Sequence, residues 1–332
     1  MPQEVPVILS VRDLEVTFRA GPWFNRRPIV AVAKVSFDLD AGETFAIVGE
    51  SGSGKTTLAH AINGLQETSN GEVLFMDEKV DVSRSRAVKP LRRHMSMMFQ
   101  DPVGSLSPRM KVGDLVAEPF IIHKIRKNLK EEVQRLLSLV GLSGDFADRY
   151  PHQLSGGQAR RIGVARAIAL EPELIIADEP TAGLDVSVQG EVLNLLSDLR
   201  ERLGLAMIFI SHNLHVVHHV ADRMAVMYLG RIVESGNTEE IFGAPAHPYT
   251  ATLLSAIPNP DPDKVRERIS LSSEVPSLLN RPSGCEFHTR CPWAHERCST
   301  ESPYHQNSGL RRVACHAPLD PGAQPPCAER AG

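Results

Sequence analysis

The sequence predicts an α/β fold in which a mixed, mainly parallel sheet carries an antiparallel β-layer, a helical insert and a C-terminal extension. Four apolar runs of strand length, separated by helical stretches, predict the parallel sheet: residues 45–48, 95–99, 174–177 and 205–210. Near the start of the chain, apolar and polar residues alternate over 14–18 and 35–39, as in half-buried strands. The antiparallel layer is therefore expected before the first parallel strand.

The helical insert is predicted at about residues 105–170. Between 129 and 140 the apolar residues fall on one helical face, and Gly141 stands where a helix commonly ends. Ser155 precedes a second helical run, 156–170, and can cap it with its hydroxyl.

A glycine-rich loop follows the first apolar run. Residues 49–56, Gly-Glu-Ser-Gly-Ser-Gly-Lys-Thr, match G-x-x-x-x-G-K-[ST], with a strand before them and a helix expected over 57–65. Backbone N–H groups of such a loop surround phosphate oxygens, and its lysine reaches the β- and γ-phosphates. The residues expected to bind ATP here are Gly49, Ser51, Gly52, Ser53, Gly54, Lys55, Thr56 and Thr57.

Two further motifs lie downstream. Leu154-Ser155-Gly156-Gly157-Gln158 is a second glycine-rich loop that opens a helix, and residues 174–179 form an apolar run that ends in Asp178 and Glu179. Thr56 and Asp178 are predicted to hold Mg²⁺, and Glu179 is predicted to be the general base for the attacking water.

The three motifs, in this order, resemble the ATP-binding cassette (ABC) family. The resemblance implies that Gln100 senses the metal and the attacking water, and that His212 hydrogen-bonds the γ-phosphate. It implies that Ser155, Gly156, Gly157 and Gln158 form the family's signature loop, which contacts ATP held by an opposite subunit, and that Asp185 lies in the loop crossing that interface. Asn213 stands where the family usually has aspartate.

In the family an aromatic side chain usually stacks on the adenine base, and Phe18 occupies the place of that residue. Trp23 and Phe24 follow closely. Phe18 also completes the apolar face of its strand, so a packing role is the alternative.

A closer resemblance lies outside the chemistry. Four stretches look like the di/oligopeptide and nickel importer branch of the family. They are Gln100-Asp101-Pro102, residues 104–109 (Gly-Ser-Leu-Ser-Pro-Arg), His247-Pro248-Tyr249-Thr250 and residues 253–258. This resemblance implies an ATP-hydrolysing subunit that powers solute uptake. The implied partners are two membrane permease subunits, a second, related cassette in a heterodimer, and an extracytoplasmic solute-binding protein.

The chain is thus expected to consist of a nucleotide-binding domain, 1–243, and a proline-rich extension, 244–332, with a disordered tail from about Pro318. Four of the five cysteines fall in this extension ahead of the tail: Cys285, Cys291, Cys298 and Cys315. Four thiolates suit an iron–sulfur cluster or zinc, and inert thiols are the third possibility. Resemblance to peptide importers implies a [4Fe-4S] cluster. Cys327 is interpreted as a spare thiol in the tail.

Composition limits the competing functions. The net charge is −4, with 23% charged residues, so no excess of basic residues indicates a nucleic-acid partner. No apolar stretch reaches the ~20 residues that span a bilayer, so the chain is expected to be cytosolic and to reach a membrane only through partners. The resemblance to importers implies a peripheral position on the cytoplasmic face of the inner membrane. The alternative, a cassette ATPase acting on DNA or ribosomes, usually carries two cassettes or long insertions. A stand-alone nucleotide kinase does not account for the 154–158 loop and Glu179.

Overall fold

The computed structural model describes residues 5–21, 26–80, 90–101, 104–257, 269, 271 and 274–321. Trp23, Phe24, Pro102, Cys327 and the last part of the tail, 322–332, lie outside the described residues.

The larger of two sheets contains eight strands in the order β11-β12-β10-β9-β3-β8-β7-β6. Its strands are β3 (Thr44–Val48), β6 (Met95–Met98), β7 (Leu174–Asp178), β8 (Ala206–Ser211), β9 (Arg223–Tyr228), β10 (Arg231–Asn237), β11 (His305–Ser308) and β12 (Arg311–Ala314). The five from β9 to β6 run parallel, whereas β10, β12 and β11 continue the sheet antiparallel. The predicted parallel sheet is confirmed, and all four apolar runs are strands in it.

The smaller sheet is the predicted antiparallel layer. Its four strands, in the order β2-β1-β4-β5, are β1 (Val7–Ala20), β2 (Arg27–Asp40), β4 (Asn70–Phe75) and β5 (Glu78–Lys79). The rings of Phe37 in β2 and Phe45 in β3 stack with centroids 4.7 Å apart, which joins the two sheets.

The helices of the described residues are α1 (Lys55–Ile62), α2 (Val112–Ile122), α3 (Leu129–Leu139), α4 (Gly156–Ala167), α5 (Val186–Leu203), α6 (Leu214–Val220), α7 (Thr238–Gly243), α8 (Pro248–Ser255) and α9 (Glu296–Thr300). Helices α2, α3 and α4 form the predicted insert. Helix α3 ends at Leu139 as expected, with Gly141 just beyond it at φ +71°.

The hydrophobic core consists of two clusters, one on each face of the larger sheet. Along β3, Phe45 and Ile47 belong to the cluster under the β-layer and α1, while Ala46 and Val48 belong to the cluster shared with the insert and α5. Burial on both faces explains why this strand is a continuous apolar run rather than an alternating one.

The C-terminal extension is joined to the larger sheet. Strand β12 pairs with β10 through Val313 and Arg312, and the guanidinium of Arg311 pairs with Glu234, whose side chain is fully buried. The backbone N–H of Leu319 donates to the carbonyl of Ala246 at 2.8 Å, so the start of the predicted tail is also tied down. The boundary at 243–244 stays a prediction.

In the described ranges, no helix combines the length and the apolar character that crossing a membrane requires.

Candidate functional site

The phosphate loop connects β3 to α1 at the carboxyl end of the parallel strands. Gly49 and Gly54 have φ values of +154° and +99°, and a Cβ at either would lie 2.2 Å from the carbonyl oxygen of Met227 or 2.3 Å from that of Ala31. Only glycine fits at these two positions, because the added atom would overlap backbone that cannot move independently. The loop is therefore fixed by the strands behind it.

Lys55 is buried at the base of this loop, with 6% of its surface exposed. Its Nζ donates to the carbonyl oxygens of Gly49 at 2.8 Å and Glu50 at 2.9 Å. Burial lowers the pKa of Lys55, and the nearby carboxylates, Glu179 first, oppose that shift. The ammonium thus lies inside the ring of the loop, where a phosphate group can replace the carbonyls as its partner.

Asp178 ends strand β7 beside Thr56 and is 2% exposed. Burial raises the pKa of Asp178, while a hydrogen bond from the Thr56 hydroxyl opposes the shift. Among the described residues, no group hydrogen-bonds Asp178 Oδ1, although this oxygen is buried. A buried, unpaired carboxylate oxygen next to a threonine hydroxyl fits a hydrated Mg²⁺, which prefers oxygen ligands.

Glu179 lies at the centre of the three predicted catalytic residues. Gln100 Nε2 donates to its Oε2 at 3.0 Å, and His212 Nδ1 lies 2.9 Å from its Oε1. The backbone of Glu179 has φ +46°, a left-handed conformation that costs energy for a non-glycine residue. Its N–H donates to the Ile210 carbonyl at 2.9 Å, so the neighbouring strand β8 holds this strained residue in place.

Arg160 is a site residue that the sequence reasoning missed. It lies in α4, is 3% exposed, and donates to the carbonyl oxygens of Gln100 (3.4 Å), Glu179 (3.4 Å) and Ala182 (2.7 Å). One side chain therefore connects the loop after β6, the loop after β7 and the start of the loop that leads to Asp185. Its position directly after 154–158 in the chain was the signal that could have indicated it.

The second glycine-rich loop caps helix α4. Ser155 Oγ accepts from the Gln158 N–H at 3.3 Å, and the Gln158 side chain accepts from the Ser155 N–H at 3.0 Å, which is a capping box. Ser155 and Gly156 are exposed, and Gly157 is half-buried. The expected cap is confirmed, and the free end of the helix is presented at the surface.

Asp185, Phe18 and Asn213 lie outside the cluster around Glu179, and their expected roles stay predictions. Asp185 is the N-cap residue of α5, and Phe18 lies in β1 opposite Ile29 with 39% of its surface exposed. Asn213 caps α6, because its Oδ1 accepts from the N–H of His215 at 3.1 Å. An aspartate is therefore not required for this cap.

The four cysteines of the extension line one small cavity, together with the rings of Phe287 and Trp293. Burial raises the pKa of Cys285 to about 11 and that of Cys291 to about 12, so both thiols are neutral near pH 7. Within the part of the chain that the structure describes, no group of three or more His, Cys, Asp or Glu side chains is arranged to hold a single metal ion.

Comparison with known proteins gives the family. The family model for ABC transporters matches residues 32–182, and the model for the oligopeptide/dipeptide transporter C-terminal region matches 233–298. The chain is 45% identical over 313 residues to the di/tripeptide transport ATP-binding protein DppF of Pseudomonas aeruginosa, covering 93% of this chain and 97% of that protein. It is 45% identical over 320 residues to the oligopeptide transport ATP-binding protein OppF of Haemophilus influenzae, covering 93% and 96%.

Solved structures agree. A dimeric post-hydrolysis structure of the ATP-binding cassette MJ0796 bound to ADP and Pi has a TM-score of 0.63 and 27% identity, covering 70% of this chain and 99% of that one. CbiO1 from Clostridium perfringens, part of the transporter complex cbiONQ, has a TM-score of 0.61 and 29% identity, covering 71% and 90%. The chain therefore belongs to the ABC transporter family, as an ATPase subunit that carries the C-terminal region of oligopeptide and dipeptide transporters.

Proposed function

We propose that this chain hydrolyses ATP to drive import of di- or oligopeptides through a membrane permease. The observation that carries the proposal is the meeting of Gln100, Glu179 and His212 beside an intact phosphate loop. The C-terminal match over 233–298 and the names of the two relatives support peptides as the cargo.

The residues divide the work of hydrolysis. Lys55 and the N–H groups of the phosphate loop bind and orient the β- and γ-phosphates. Glu179 accepts the proton of the attacking water, while Gln100 and His212 each contact one of its carboxylate oxygens and so orient the carboxylate. Thr56, Asp178 and Gln100 are the proposed residues for Mg²⁺, which neutralises phosphate charge when bound.

A second cassette completes the site in this proposal. Ser155, Gly156, Gly157 and Gln158 lie at a free helix N-terminus, which attracts phosphate. Because each cassette would contact ATP held by the other, ATP favours the closed pair and hydrolysis removes that preference. The dimeric MJ0796 structure supports pairing, and we propose a heterodimer with a related ATPase.

Membrane attachment follows from the permease in this proposal. A groove between β6 and α2 is lined by charged side chains and by the apolar side chains of Met97, Phe99, Pro119 and Ile122. Ile122 is 49% exposed there and offers an apolar contact to a permease segment. The chain is then peripheral on the cytoplasmic face of the inner membrane, with a solute-binding protein on the other side.

The test is purification of the tagged chain from gently solubilised native membranes. Two permease subunits, a second cassette and a binding protein that binds peptides are expected by mass spectrometry. Recovery with DNA or ribosomes would overturn the importer and support the alternative function. A binding protein that takes nickel or a sugar would overturn only the cargo.

The four cysteines are proposed to hold a [4Fe-4S] cluster. The four thiols around this cavity would supply the four thiolate donors that such a cluster takes. When bound, the cluster supplies a rigid cross-link of the loop; no hydrolysis step passes through it. Neutral thiols must lose protons for ligation, so assembly releases protons.

Anaerobic purification tests the cluster. Iron and acid-labile sulfide, each at about four per chain, with visible charge-transfer absorption are expected. Cys291→Ser should lose them, and Cys327→Ser is the matched control that should retain them. Stoichiometric zinc, or no metal at all, would contradict the cluster.

A further inference from the structure

Glu50 is an acidic residue inside the phosphate loop, and all three of its polar groups are held. Its carbonyl oxygen accepts from Lys55 Nζ at 2.9 Å, and its N–H donates to the Tyr249 hydroxyl at 3.0 Å. Its carboxylate receives two hydrogen bonds from the guanidinium of Arg290, at 2.7 and 3.0 Å. Two of these three partners, Tyr249 and Arg290, belong to the C-terminal extension.

Both partners are fixed in their own surroundings. The side chain of Arg290 is 4% exposed, and Tyr249 is fully buried. Phe287 packs against both Tyr228 and Tyr249, with ring centroids 5.3 Å away in each case, and its carbonyl accepts from the Arg290 N–H at 2.9 Å. The extension therefore presents a rigid donor pair to the phosphate loop rather than a mobile surface arginine.

The charge of Glu50 makes these contacts matter for ATP. The Glu50 carboxylate is close enough to act on the charge of Lys55, the lysine of the phosphate loop, so without a partner it would repel a bound triphosphate and compete with it for Lys55. A bidentate guanidinium neutralises that carboxylate and also fixes the direction in which it points. The hydroxyl of Tyr249 accepts a hydrogen bond from the Glu50 N–H and so fixes the backbone of Glu50.

We propose that Arg290 and Tyr249 are positioning residues for ATP binding, through which the C-terminal extension neutralises Glu50 and fixes the backbone of the phosphate loop. The inference rests on the proposed ATP site at the phosphate loop of this chain. It does not depend on what the four cysteines hold or on the transported solute.

The first test is Arg290→Gln in the full chain, with Mg-ATP binding measured by calorimetry and turnover measured in the assembled transporter. We expect the dissociation constant and KM for ATP to rise about tenfold, the effect of one unneutralised charge several ångströms from the phosphates in a partly screened site. The kcat should change less than about twofold, because Glu179 is untouched. Tyr249→Phe, which removes one neutral hydrogen bond, should raise KM about threefold.

The decisive variant is the double substitution E50Q/R290Q. If Arg290 acts by neutralising Glu50, removal of the carboxylate restores KM to within about threefold of the unmodified chain. The matched control is Arg281→Gln, because Arg281 also ties the extension to the cassette, through the Val30 carbonyl at 2.7 Å, but does not contact the phosphate loop. It should lower thermal stability without raising KM.

Two results would overturn the proposal. One is an unchanged KM in a folded Arg290→Gln chain. The other is a double variant as weak in ATP binding as Arg290→Gln alone, which would mean that Arg290 supports only the folding of the extension.

Discussion

The two glycine-rich loops of this chain differ in how they are held. In the phosphate loop, a Cβ on Gly49 or Gly54 would overlap a backbone carbonyl oxygen, and Lys55 is buried. In the second loop Ser155 and Gly156 are exposed, and a Cβ on Gly157 would meet only the side chain of Val188, at 3.0 Å. The phosphate loop is held on several sides by its own chain, whereas the second loop presents an exposed helix N-terminus. Glycine therefore has two roles: in the phosphate loop it allows close backbone packing, and in the second loop it leaves a helix N-terminus exposed.

The largest expected effect comes from a substitution of Glu179, beside the phosphate loop. Glu179→Gln should retain Mg-ATP binding within about twofold and lower hydrolysis by roughly 10²–10⁴-fold, the range that a general base contributes. Steady-state turnover and calorimetric binding measure the two effects. Glu173→Gln is the matched control, since Glu173 precedes the same strand but pairs with His94 at the surface, and it should leave turnover unchanged. Normal turnover in Glu179→Gln would remove this residue from its role.

The second prediction concerns the second glycine-rich loop. Gly157→Asp places a negative charge at the helix N-terminus, where we propose that the partner's ATP binds. Hydrolysis by the assembled transporter should fall at least about 100-fold, as on loss of an anion-binding donor. Mg-ATP binding to the isolated chain should stay within about twofold.

The control for this variant is Gly190→Ala in helix α5, where an added Cβ meets no atom within 4 Å, and it should leave hydrolysis unchanged. If Gly157→Asp abolishes ATP binding to the isolated chain, the two loops serve the same nucleotide and the comparison fails.

Arg160→Met tests the connection between helix α4, which begins at the second glycine-rich loop, and the loops that carry Gln100 and Glu179. The variant leaves three backbone carbonyls without their shared donor, so the free energy of unfolding should fall by about 1–3 kcal/mol. The kcat should fall about tenfold with a smaller change in KM, because the loops that carry Gln100 and Glu179 are no longer tied to α4. Denaturant unfolding and steady-state kinetics measure both effects.

Arg161→Met is the neighbouring control. Arg161 donates to the Val140 carbonyl and pairs with the exposed Glu191, away from the catalytic residues. A kcat loss as large as that of Arg160→Met would show that any change in α4 has this effect.

The smallest predicted effect concerns stability. Burial raises the pKa of Asp178, so ionisation of its carboxyl group costs more free energy in the folded chain than in the unfolded chain. Asp178→Asn should therefore stabilise the nucleotide-free chain by about 1 kcal/mol at pH 7 while abolishing hydrolysis. As the pH falls from above the folded-state pKa to below the unfolded-state pKa, Asp178 becomes protonated in both states and this gain should vanish.

Thermal unfolding with a chelator present, at pH 7 and at lower pH, measures the gain. Asp148→Asn is the control, because Asp148 is exposed and pairs with Lys111 at 2.9 Å, and its effect on stability should be smaller than that of Asp178→Asn. A loss of stability in Asp178→Asn would contradict the role assigned to its buried charge.

Local features of the fold were predictable from the sequence. The phosphate loop, its flanking strand and the Ser155 cap depend on residues a few positions apart, and the structure confirms them. The helix after the loop was expected over 57–65 but spans Lys55–Ile62, because Gly54 at φ +99° begins it and Gly64 at φ +65° follows its end.

Long-range contacts were not predictable. Arg290 and Glu50 are 240 residues apart, and no periodicity or spacing relates them. The pairing of β12 with β10 was also missed, since β12 is a four-residue strand with two arginines rather than an apolar run. The family resemblance implied that His212 contacts the γ-phosphate. Its contact with Glu179 was not predicted, because it depends on the order of β7 and β8 in the sheet.

The most direct test of the account is a structure of the assembled transporter with Glu179→Gln in this chain and Mg-ATP bound. The account predicts that ATP on Lys55 is contacted by the partner cassette's glycine-rich loop. It also predicts that Ser155 and Gly157 of this chain contact ATP held by that partner. A closed, ATP-bound complex in which Ser155 and Gly157 face solvent, or contact the ATP on Lys55 of their own chain, would contradict it.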